Sequence, residues 1–149
     1  MPEVRFYHLT RTPLDRVLPT LLEKTLERGK RAVVLAENEQ QVQDLNALLW
    51  TYNDRSFLPH GSKAEGDGDR QPIWVTDVSE APNGATYAFM IGAARLDDPG
   101  SFEMSALIFD GNSDHAVTRA RESWKTYKDQ DLEISYWQQN DRGGWEKKA

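Results

Sequence analysis

The chain contains no cysteine, which excludes disulfide staples, thiolate zinc sites, iron–sulfur clusters and thiol nucleophiles, and suits a reducing compartment. No apolar run approaches the roughly 18 residues of a membrane span, and residues 1–11 lack the apolar stretch of a secretory signal. A cytoplasmic protein without a membrane partner is expected. Positive charge is also scarce: 18 Lys and Arg face 24 Asp and Glu, for a net charge of −6. Proteins that coat duplex DNA draw their affinity from neutralised phosphates, so that mode is excluded and only a local basic patch can hold an anion. There is no H-E-x-x-H, no G-x-S-x-G and no glycine-rich phosphate loop, and His8, His60 and His115 share no i, i+4 spacing. What is present suffices for one core: 149 residues, 38% hydrophobic, with five tryptophans, a length usual for a single domain and too aromatic for disorder. Residues 1–149 are read as one domain, with a polar C-terminal tail at 138–149.

The pattern alternates strand and helix. Residues 4–9 are rich in strand formers and are broken at 10–13. Val17, Leu18, Leu21, Leu22 and Leu26 then follow helical spacing, with Thr12 as N-cap, Pro13 at the first helical position and Gly29 as the stop. Pro19 has no N–H for the Asp15 carbonyl, which predicts a first turn that is kinked or not α-helical. Residues 30–36 are a short apolar run of the kind buried in a parallel sheet. Asn38 followed by Gln41 resembles a capping box, and Val42, Leu45, Leu48 and Leu49 make one helix face ending near Trp50. Residues 53–70 lose periodicity and read as a surface loop, whereas 73–76, 86–91, 106–109 and 132–137 read as strands. Ser113 or Asp114 caps a helix running to about Lys128. This alternation predicts a single-domain α/β fold, a Rossmann-like (mononucleotide-binding-like) mostly parallel sheet flanked by helices. It lacks a functional nucleotide site, because Glu37, Asn38 and Glu39 stand where glycines would cradle a pyrophosphate.

Few residues suggest chemistry. Asp110 and Asp114 offer two carboxylates to Mg²⁺, which keeps a metal-dependent nucleotide hydrolase as a competing reading. Two acids are a thin hard-metal site, and a glycine turn into a capped helix accounts for them better. The acidic run at 65–69 lacks calcium-loop spacing and reads as solvated loop. No metal and no cofactor are expected. In residues 117–128, Arg119, Arg121, Lys125 and Lys128 oppose only Glu122, a local excess of three positive charges, and Arg121, Trp124, Lys125 and Lys128 share one helix side. Such an island either captures an anionic partner segment or is a solvated face with Trp124 turned inward. It is too short to track a long strand, so direct nucleic-acid binding is expected to be weak or absent. Trp50 with Phe57, Leu58 and Pro59 forms a second aromatic concentration, either core filling or an anchor for a partner protein.

Several stretches together carry a resemblance. They are Phe6-Tyr7, Gly29-Lys30-Arg31, Leu48-Leu49-Trp50, Ser56-Phe57-Leu58-Pro59-His60, Ala106-Leu107-Ile108-Phe109-Asp110, and Arg121-Glu122-Ser123-Trp124-Lys125-Thr126-Tyr127-Lys128. In order, over nearly the whole chain, they resemble the chi subunit family of the bacterial DNA polymerase III holoenzyme, an accessory protein of the clamp-loader complex. The resemblance implies a Rossmann-like fold without catalysis, working in the bacterial cytoplasm at the replisome. It implies binding of the acidic, Phe-terminated C-terminal tail of single-stranded DNA-binding protein and, in some members, of the small psi subunit. Carried over by position, Arg121, Trp124 and Lys125 fall on the tail-binding helix, with Phe109, Arg119 and Lys128 expected beside them. Trp50 and Phe57 fall on the psi-facing surface, with Leu58, Pro59 and His60 adjoining; a repair helicase is the alternative partner there. The chain departs from the family pattern at Val117, where a further basic residue is expected, and in residues 138–149.

Overall fold

A run buried on both sides belongs in the interior of a parallel sheet, and Ala32, Val33, Val34 and Leu35 are all buried, forming β2 (Ala32–Leu35). In the computed structural model, which describes residues 2–10, 12–51, 59–63, 66–142 and 144–149, β2 lies within an eight-stranded sheet. Its companions are β1 (Glu3–Leu9), β3 (Gly61–Ser62), β4 (Ile73–Thr76), β5 (Tyr87–Ile91), β6 (Met104–Asp110), β7 (Glu133–Gln139) and β8 (Trp145–Lys147). The order is β3-β4-β2-β5-β6-β1-β7-β8, with every neighbouring pair parallel except β7 and β8. This is the open, Rossmann-like α/β sheet the sequence predicts.

Alternation along the strands divides the core into two layers. On one face α1 (Leu14–Glu27) and α2 (Glu39–Thr51) bury Val17, Leu18, Leu22, Val42, Leu45 and Leu49 over Tyr7, Val34, Phe89 and Ile108. On the other, α3 (Asp114–Lys128) packs Ala120 and Tyr127 over Phe6, Leu107 and Phe109, and Ala94, Leu96 and Phe102 from the preceding loops join the same layer. No described helix is long and apolar enough to cross a membrane.

The helix ends follow local chemistry. Asn38 Oδ1 accepts from the Gln41 N–H at 2.9 Å, while the Gln41 side chain accepts from Glu37 rather than Asn38, a capping box displaced by one residue. Ser113 Oγ accepts from the Ala116 N–H at 3.2 Å and opens α3. Gly29, at φ 73°, closes α1 in the left-handed conformation that glycine adopts without strain.

Four local expectations change. The residue capping α1 is Pro13, without a side-chain cap, and Thr12 stands one residue ahead of the cap, tied to β7 through its N–H, which the Gln139 side-chain oxygen accepts at 3.2 Å. Of the two alternatives at Pro19, the non-helical first turn is set aside: α1 is α-helical from Leu14 with Pro19 inside it, and the neighbours Leu18 and Leu22 are fully buried against the sheet. The stretch expected as loop contains the edge strand β3 and a 3-10 turn at Gly68–Arg70. The expected tail contributes Gln138 and Gln139 to β7 and folds back as β8, where Trp145 meets Tyr7 edge-on at 5.0 Å. That aromatic contact lies far away in sequence, which is why a polar stretch gave no strand signal.

Candidate protein-binding surfaces

Helical periodicity sorts the α3 side chains by face. Ala120 and Tyr127 face the sheet, and Trp124 is half-buried at the margin, edge-on to Phe6 at 5.3 Å and to Tyr136 at 5.9 Å. Arg121, Lys125 and Lys128 are exposed along that margin, so the structure brings these three cations together with Trp124. Arg119 falls on the opposite flank, where its charge bears on the half-buried Arg95. Phe109 is only 2% exposed; it supports the margin from beneath and does not line it.

Beside this flank lie two residues that the sequence did not single out as binding groups. β1 and β7 pair with Phe6 opposite Tyr136 and His8 opposite Gln138, placing Phe6, His8 and Tyr136 on the α3 face. His8 Nδ1 and the Tyr136 hydroxyl share a 2.6 Å hydrogen bond, and the His8 ring lies 5.1 Å from Phe109. Burial pushes the Tyr136 hydroxyl above its usual range while Arg121 opposes the shift. Burial also pulls His8 below its ordinary value, with Asp110 counteracting and Arg121 adding to the effect. The partnership joins residues 128 positions apart; no local pattern announces it.

The direction of the His8 shift makes a prediction. The unfolded chain takes the proton more readily, so the stability due to neutral His8 is fully present above the unfolded pKa of about 6.5 and is lost as pH falls through the lower folded value. Thermal unfolding of wild type and His8→Gln at about pH 7.5 and about pH 5 checks this. The wild type is expected to lose more stability between the two; equal losses would remove His8 as the cause.

At the far side of the sheet, Trp50 is 51% exposed at the end of α2, its ring 4.7 Å from that of His60. His60 is buried, with Nε2 3.2 Å from the Asn46 carbonyl, and Pro59 is half-buried. Trp50 therefore presents apolar surface to solvent, whereas His60 serves as its support. Phe57 and Leu58 lie outside the described residues.

The remaining candidate is the crevice past the carboxyl ends of the strands, where open α/β sheets hold ligands. A cavity of about 390 Å³ opens there, lined by Thr10, Gln41, Asp110 and Asn112, with Pro13 at the start of α1. No cation lines it among the described residues, and Pro13 contributes no N–H to a phosphate. Asp110 Oδ1 accepts from the Asn112 N–H at 2.9 Å, the bond of a turn. Asp110 and Asp114 belong to no group of three or more potential metal ligands among the described residues.

A parallel sheet whose ligand crevice lacks a phosphate cradle, with a cationic helix flank on one layer and an exposed tryptophan at its far side, defines a Rossmann-like α/β scaffold. Residues 1–135 match the family described as "DNA polymerase III chi subunit, HolC", and the chain belongs to that family. It is a family of replication subunits, accessory to the polymerase. Among curated proteins, the "Probable DNA polymerase III subunit chi" of Rickettsia prowazekii (strain Madrid E) is 31% identical over 96 residues, covering 64% of this chain and 58% of the relative. The chain thus matches somewhat more than half the length of that relative.

Proposed function

We propose that the protein is a non-catalytic replication adaptor, linking the polymerase III clamp-loader complex to the acidic C-terminal tail of single-stranded DNA-binding protein. The observation that carries this reading is the α3 flank, with Arg121, Lys125 and Lys128 around half-buried Trp124. The terminal Phe ring of the tail rests against Trp124, Arg121 pairs with its carboxylate through a planar fork, and Lys125 and Lys128 face the upstream acids. Burying one Phe contributes about 1.5 to 3 kcal/mol and each charged hydrogen bond about 1.5 to 3, against an association cost of at least about 4. Micromolar affinity, about −8 kcal/mol, is the expected result.

Calorimetry with the tail peptide is the test, comparing wild type with Arg121→Ala and Trp124→Ala, and the full peptide with one lacking its final Phe. Each change is expected to weaken binding at least about tenfold, and added salt should weaken it further because the upstream pairs are exposed. Unchanged affinity in both variants would refute the site. The adaptor works in the bacterial cytoplasm at the replisome and needs no cofactor.

The Trp50 surface supports a second contact, to a psi-like subunit or a repair helicase. Trp50→Ala is expected to cost about 1 to 2.5 kcal/mol, below the about 3 to 5 of a fully buried Trp because half the side chain is already in water, while abolishing capture of that partner from cells of the source organism. A large stability loss would assign Trp50 to the fold instead.

A further inference from the structure

On the sheet face opposite α3, a groove of about 360 Å³ runs between α1 and the outer strands β7 and β8. Its floor follows from register: Tyr7 and Trp137 are cross-strand neighbours, and Gln139 stands beside Trp145. Tyr7 is buried, whereas Trp137 and Trp145 are half-buried and reach the surface. Its wall is α1, where Arg16, Lys24 and the capping Arg28 line the groove and the acids Asp15, Glu23 and Glu27 do not. These three cations are exposed, and none forms an ion pair among the described residues. Arg5, on the floor, is already held by Glu3 at 2.6 Å. On a chain with a net charge of −6, a row of unpaired cations beside apolar surface is a local positive field with a shape attached.

We propose that this groove is a second anion-binding surface, separate from the α3 flank, that takes an extended acidic peptide carrying an apolar side chain. The spacing favours that occupant. At 1.5 Å per residue, Arg16 and Lys24 are separated by about 12 Å along the helix axis and Lys24 and Arg28 by about 6 Å. Alternate residues of an extended chain repeat every ~6.6 Å, so carboxylates at every second position fall opposite successive turns of α1. Arginine and lysine on that wall donate charge-assisted hydrogen bonds, and Trp137 offers its indole to an apolar side chain lying between the acids. β8 is the outermost strand, so a peptide can also pair along its outer side. Single-stranded nucleic acid fits less well. Tyr7, Tyr87 and Phe89 are buried and Tyr7 engages the ring of Trp145, which among the described residues leaves the Trp137 indole without a second uncommitted ring beside it, whereas a strand needs successive stacking platforms.

The test uses the full chain carrying Arg121→Ala, which weakens the α3 flank as a competing site. A labelled peptide of about ten residues, with glutamate at every second position and one central leucine, is titrated by fluorescence anisotropy. A thymidine oligonucleotide of equal charge is titrated in parallel. Saturable, salt-sensitive peptide binding is expected, with amide shift changes on α1, β7 and β8. Adding Lys24→Glu and Arg28→Glu is expected to weaken it at least about tenfold, with cooperative unfolding retained and only a modest drop in midpoint from placing two acids at the C-terminal end of α1. Absence of saturable binding, shifts confined to α3, indifference to the charge reversal, or tighter binding of the oligonucleotide would each overturn the proposal. Loss of tail-peptide binding at α3 would not affect this result, so the two readings fail separately.

Discussion

Phe6→Ala is expected to cost about 3 to 5 kcal/mol of stability, roughly a fifth or more of what holds a typical domain together. Phe6 is fully buried in β1, between Leu107 of β6 and Tyr136 of β7 in the sheet register. Its ring meets Trp124 at 5.3 Å, Tyr127 at 6.2 Å and Tyr136 at 6.3 Å, so truncation removes several aromatic contacts at once. Each such pair adds about 0.5 to 1.5 kcal/mol beyond buried area. Because Trp124 and Tyr127 seat α3 on the sheet, the variant is also expected to bind the tail peptide less tightly without touching it. Urea unfolding together with calorimetry separates the two effects. A midpoint close to that of wild type would mean that α3 is seated by other contacts.

Gly111→Ala is the second large effect, expected at about 1 to 3 kcal/mol or more, as for an overpacked core. A Cβ at this position would collide with the His8 imidazole and come within 2.6 Å of the Leu9 carbonyl oxygen. A side chain can rotate away, but that carbonyl is fixed, since it accepts the Gly111 N–H at 2.8 Å. Relief therefore requires the β1 and β6 ends to separate or His8 to leave Tyr136. Following the His8 ring by NMR as pH is lowered reports which occurs. Departure from Tyr136 returns its titration toward the ordinary histidine range, because burial is what depresses it. A stable variant with an unmoved His8 titration would show that the close approach is absent.

The sequence alone carried much of the architecture, for reasons visible in particular residues. The run at 32–35 is apolar on both faces and admits only an interior strand, and Val42, Leu45 and Leu49 repeat at helical spacing with Asn38 ahead of them. Such signals are local, and local pairing of residue type with period survives into the fold. Pro19 shows the limit, because its missing hydrogen bond is a local cost outweighed by the burial of Leu18 and Leu22, which only the sheet provides. β8 shows it again: its three residues have no strand pattern and are paired because β7 offers an edge and Tyr7 a ring to Trp145.

For the candidate surfaces, composition and spacing determined that the only dense cationic stretch of α3 has Trp124 among its charges, and that no phosphate loop follows a strand. They could not decide which charges share a side with which strands. Arg119 and Arg121 are two positions apart and lie on opposite flanks, since two residues advance a helix by more than half a turn. His8 joins Tyr136 only because β1 and β7 are adjacent in the sheet, and the cations of α1 gain an aromatic floor only because the strand order sets β7 and β8 next to β1. Residue type and period along the chain decide which elements form. The neighbours that turn those elements into surfaces are set by strand order, which joins residues more than a hundred positions apart and leaves no mark on either segment alone.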